Sequence, residues 1–142
     1  MQRVVTKICD ADKKKSEIIE EFLNLLNESS SKYSFNSEKV NEKDRLKSDI
    51  EHKFELQKLD RNQRAKLGTA LTKCMQERRE YKDEAQEWEI LFNFSQDDAN
   101  EKFIKNIKKM LGDLRKQENY HDNRSYMPRV MTMDEWSNDY YG

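Results

Sequence analysis

Hydrophobic and polar positions alternate along the chain with the period of a helix. From Asp60 to about Asn93, Leu67, Leu71, Cys74, Arg78, Tyr81, Ala85, Trp88 and Phe92 follow one another in steps of 4 and 3. Such steps place all eight on one stripe and form a heptad seam more than three repeats long. Arg78 sits at its centre. Either Met75 replaces it on the seam, the arrangement favoured here, or Arg78 lies inside and needs a carboxylate partner. Upstream, Ile18, Ile19, Phe22, Leu23, Leu25 and Leu26 mark one apolar face of a helix that Asp12 could cap and that runs to about Ser29. The polar, Ser-rich run 27–37 reads as a loop. A second helix then runs from Ser37 or Asn41 to about Leu59 on a stripe of Leu46, Ile50 and Phe54. Ser95 reads as an N-cap with Asp97 and Asp98 in the first turn. The helix that follows, to about Glu118, carries Phe103, Ile107, Met110 and Leu114, with Ile104 and Leu111 alongside. The remainder is aromatic and irregular, and Thr132 before Asp134 and Glu135 signals one last turn around Trp136.

The expected fold is all-α. It is a helical bundle built on a long antiparallel helix hairpin with a coiled-coil-like seam and an irregular aromatic C-terminal tail. The chain forms one domain over 1–142: a lead segment 1–11, two helices in 12–59, the long hairpin in 60–118 and the tail 119–142. Composition agrees. Ala, Glu, Lys, Leu and Arg make up about 42% of the residues, and 3 Gly and 1 Pro in 142 residues argue against sandwiches, barrels and Gly-rich nucleotide folds. Leu, Ile, Val and Phe are only about a fifth, so the core is thin.

Net charge is −1, from 27 bases and 28 acids, but the charges come in blocks. Residues 61–82 hold seven bases and two acids, 83–100 six acids and no base, and 101–129 eight bases and four acids. Folding helices three and four about Ser95 brings the two basic blocks to one end. That end gathers Arg61, Arg64, Lys66, Arg78, Arg79, Lys82, Arg115 and Lys116, with Arg124 and Arg129 nearby, as a candidate surface for phosphate or acidic partners. The competing reading is that the net-acidic first two helices dock there and neutralise it.

Candidate chemistry is sparse. No Gly-rich phosphate loop occurs. His52 and His121 lack the spaced ligands of a zinc site, and Glu118–His121 has the spacing of one half of a di-iron motif without a second copy. Cys74 reads as a small buried thiol. The expectation is no enzyme, no metal and no cofactor. No run of about 18 apolar residues occurs, so no membrane span is expected. The start MQRVVTKICDADKKK carries no export signal, which with two cysteines points to the cytoplasm of a host cell. The tail interleaves Tyr120, Tyr126, Trp136 and Tyr140 with Arg124 and Arg129, the residue types enriched where proteins grip partners. Packing of the tail back onto the core is the alternative.

The stretches QERREYKDEAQEWEILFNF (76–94), KKMLGDLRKQE (108–118) and NRSYMPRV (123–130) resemble small proteins encoded by bacteriophages and prophages, and the resemblance covers about residues 60–131. The resemblance implies context rather than a site: a non-enzymatic protein that binds a host protein or nucleoprotein complex, a CRISPR-type immune effector among them, and inhibits or redirects it. Direct nucleic-acid binding through the basic end, as a phage regulator, and a structural or assembly role are the alternatives. A second copy of the chain is a further candidate partner.

Overall fold

In the computed structural model, residues 12–137 are described. All regular structure among them is helical: α1 (Lys15–Leu56), α2 (Arg61–Gln96), a 3-10 turn (Asp98–Asn100), α3 (Glu101–Asn123) and a short α4 (Met133–Ser137). α1 and α2 form the long antiparallel hairpin. Lys43 meets Glu77, Asp44 meets Arg78, Tyr33 meets Glu89 and Ser29 meets Ser95, so sequence numbers rise on one helix as they fall on the other.

The seam expected on α2 faces α1 throughout. Every one of its eight positions is buried or half-buried, with Cys74 at 1% exposure at its centre. The Cys74 thiol donates to the Lys43 carbonyl at 3.2 Å. Arg78 keeps its place on the seam and pairs with Asp44, whereas Met75 is 49% exposed. The favoured arrangement of those two residues is thereby corrected, because the partner helix supplies the carboxylate that a half-buried guanidinium needs.

Residues 12–59 are not two helices with a loop over 27–37. They contain a single 42-residue helix. Its seam runs Leu26, Ser29, Tyr33, Asn36, Val40, Lys43, Lys47, Ile50, Phe54, again in steps of 3 and 4. Two of the polar members, Ser29 and Asn36, bond within the helix, while Tyr33 and Lys43 bond carboxylates of α2. The Ser29 hydroxyl donates to the Leu26 carbonyl at 2.6 Å and the Asn36 amide to the Lys32 carbonyl at 2.8 Å. Such back-bonding removes the cost of burying them. Tyr33 stacks on Phe92 with centroids 5.5 Å apart, and Phe35 meets Tyr81 edge-on.

The hairpin placed over 60–118 is corrected as well. Its turn is 57–60, fixed by Asp60, whose carboxylate accepts from the Gln63 amide at 2.8 Å while the Gln63 side chain accepts from the Asp60 amide. Ser95 is not an N-cap. It lies in the last turn of α2, its hydroxyl donating to the Phe92 carbonyl, and Asp97 caps the next turn by accepting from the Ala99 amide at 3.0 Å. α3 then does not fold back on α2. It continues in the same direction along α1, with Arg115 bonded to Glu20, Ser16 to Glu118 and Lys14 to Asp122. It ends at Asn123 rather than near Glu118, and α1 starts at Lys15 after Lys14, not at a cap by Asp12. The result is a rod two helices thick: α1, about 63 Å long at 1.5 Å per residue, lies on one side, and α2 and α3 lie end to end on the other. The chain exposes 11650 Å², against about 7,800 Å² for a compact protein of its mass.

Two substitutions test this frame. Leu26→Ala should lower unfolding stability by about 2–4 kcal/mol in urea titrations, because Leu26 is buried where α1 passes from α3 to α2. Gly68→Ala should raise it by about 0.5–1 kcal/mol, since a methyl group there meets nothing within 4 Å.

Candidate functional site

The rod keeps the basic blocks apart. The half built from residues 40–82 carries twelve bases against eight acids. The middle, where 22–39 lies against 83–100, carries two bases against eight acids. The far end, 12–21 with 101–129, carries eleven bases against eight acids. The single basic end expected from the sequence is therefore corrected. Arg61, Arg64, Lys66, Arg78, Arg79 and Lys82 lie on α2, while Arg115 and Lys116 lie on α3 beyond the acidic middle. Three of the eight have ion-pair partners: Arg78 with Asp44, Arg115 with Glu20, and Arg79 more loosely with Asp83 at 3.7 Å. Among the described residues Arg61, Arg64, Lys66, Lys82 and Lys116 have no ion-pair partner. Neutralisation by α1 is thus local, two cations strong, and leaves the α2 block basic.

The acidic residue with the spacing of a metal ligand has a structural role. Glu118 accepts from the Ser16 hydroxyl at 2.6 Å and from the Ser16 amide at 3.2 Å. These bonds, helped by nearby Lys14, hold its carboxyl below the ordinary glutamate range. His121 contacts Gln117 at 3.2 Å. On the hairpin, Lys43 hydrogen-bonds Glu77, which lowers the carboxyl pKa and raises that of the ammonium.

The tail does not pack into the core. Arg124 ends α3, and Tyr126 turns onto Trp136 with ring centroids 5.2 Å apart. α4 carries Trp136 and is held by a box in which the Glu135 amide donates to the Thr132 hydroxyl, which donates back to the Glu135 carboxylate. Met127, Met133 and both aromatic rings stay exposed, and Val130 is 97% exposed. Arg124 and Arg129 flank them in solvent, and Tyr120 projects from α3. Tyr140 lies outside the described residues, as do Val4, Val5, Ile8 and Cys9 of the lead segment.

A second apolar surface was not foreseen. Ile19, Leu23 and Leu26 turn toward α3, but Ile18, Phe22 and Leu25 stay exposed, and so do Phe103 and Met110 on α3. The signal in the sequence is the width of the apolar face: six apolar residues in nine exceed what one antiparallel neighbour covers. This surface and the tail occupy the same half of the rod.

No helix among the described residues is long and apolar enough to cross a membrane. No family model, curated protein or solved structure matches the chain.

The Ser16–Glu118 contact makes α3 sensitive to acid. A carboxyl held low contributes fully at neutral pH. Its contribution starts to fade as the pH falls through the ordinary range, about 4.3, and is gone below its own lowered value. Hydrogen exchange corrected for intrinsic rates should therefore show α3 losing protection below about pH 4. Glu118→Gln should lower protection at pH 7 and flatten that profile; an unchanged profile would remove the contact from the account of how α3 docks.

Proposed function

We propose that this chain is a non-catalytic, phage-encoded binding protein that occupies a surface on a host protein or nucleoprotein complex, a CRISPR-type defence complex among them, and thereby inhibits or redirects it. The observation that carries the reading is the exposed Tyr126–Trp136 pair, on a stretch whose Met127, Val130 and Met133 are exposed as well. A thin-cored protein gains by burying such side chains, yet these stand away from its own core. Exposed apolar clusters flanked by polar groups are the usual mark of a protein interface, and paired aromatics beside arginines are the usual anchors. The resemblance over residues 60–131 supports the phage and host context. The separation of charge along the rod supports steering toward a partner of complementary pattern.

The test is capture from a bacterial lysate on the immobilised full chain, read by mass spectrometry. A discrete partner should be retained by the unmodified protein. Tyr126→Ala with Trp136→Ala should reduce its recovery at least tenfold, as expected for hot-spot residues, without changing helicity. Equal recovery by the double variant would overturn the role given to the tail.

A further inference from the structure

Positions Arg61, Arg64, Gly68, Thr72, Met75, Arg79 and Lys82 follow one another in steps of 3 or 4 along α2. They share one face, set beside the buried seam, since Leu67, Leu71, Arg78 and Ala85 each lie three residues beyond a member of the row. The face holds four cations and no carboxylate over about 31 Å. Arg61 and Arg64 form one cluster, Arg79 and Lys82 another, and the two are about 27 Å apart. Between them lie Ala65, Gly68, Thr69 and Thr72, with open space at Gly68, so nothing bulky stands between a ligand and the helix there.

The acids near this face are largely engaged. Glu77 lies across the helix and bonds Lys43, Asp44 holds Arg78, and Asp83 engages Arg79, which leaves Glu80, beside Arg79 in the hollow lined by Thr72, Met75 and Gln76, against the row. Of the four cations only Arg79 has an ion-pair partner among the described residues, at 3.7 Å on an exposed site. A protein interface would be centred on a desolvated aromatic or aliphatic anchor. Here the charges are spread in a line, and Met75 is the sole large apolar member. Spaced point charges with small residues between them suit a long polymer of regular negative charge.

We infer that this face of α2 binds the sugar–phosphate backbone of nucleic acid without reading sequence. The site is independent of the tail, and tail variants separate the two.

The experiment is fluorescence anisotropy of the full chain with a labelled duplex DNA and a labelled single-stranded RNA, at about 50 mM and 200 mM salt. Micromolar binding to at least one is expected at the lower salt. The log–log salt slope should be about −3.6 for four phosphate contacts on duplex DNA and about −2.8 on a single strand, and the comparison shows which polymer is preferred. Arg61→Gln, Arg64→Gln and Arg79→Gln should each flatten the slope by about one, and the triple variant should weaken binding more than tenfold while its circular dichroism stays helical. Tyr126→Ala with Trp136→Ala should bind as the unmodified chain does. Absence of binding to both polymers at the lower salt, a slope near zero, full binding by the single glutamine variants, or equal affinity for polyglutamate would each overturn the inference.

Discussion

The continuity of α1 is the constraint on which the other elements depend. α2 and α3 run end to end, and each packs on α1. If α1 broke at its Ser-rich stretch, the two halves of the rod would share only the link at 97–100. The helix stays whole because Ser29, Ser31 and Asn36 turn their polar groups back onto its own carbonyls, and because a long partner packs along them. Isolated propensity would not hold such a stretch; tertiary packing does.

The interior is made of small and polar residues as much as of large apolar ones. Cys74, Ala85, Ser29 and Ser95 let α1 and α2 approach closely, and Lys43–Glu77 and Asp44–Arg78 mark the register. Half-exposed ion pairs of this kind add little stability. Their value is in discrimination. If α2 slid by one heptad, Asp44 would lie opposite Leu71 or Ala85 and lose its guanidinium, and in the first of these slips Arg78 would lie opposite Ser37, without a carboxylate. The slipped pairing thus carries a penalty that the native one avoids.

The legible part of the fold follows from the same chemistry. On α2 the seam is apolar apart from Arg78, so its eight positions stand out in the sequence and all face inward. On α1 four of nine seam positions are Ser, Asn or Lys, and the period vanishes from a hydrophobicity reading while the geometry persists. That loss hid the continuous helix and moved the hairpin one element along the chain. Ser95 resembled a helix start because the true break lies two residues later at Asp97, with the same residue chemistry. The charge blocks were visible but their meeting point was not, since it depended on which helices pair. The tail motif around Thr132 and Trp136 was legible because capping is local, and the exposed face of Ile18, Phe22 and Leu25 was not because exposure is decided by the neighbour.

α1 also acts as a ruler. The end of α3, from which the aromatic tail departs, and the cationic face of α2 both pack on one uninterrupted helix, so the tail's point of departure is held several nanometres from that face. A flexible tether offers a broad range of distances and dilutes the second contact after the first has formed. A stiff one favours targets whose two sites match its length and gains nothing on those that do not. Selectivity between assemblies can then reside in a distance, with each end remaining permissive about the chemistry it touches.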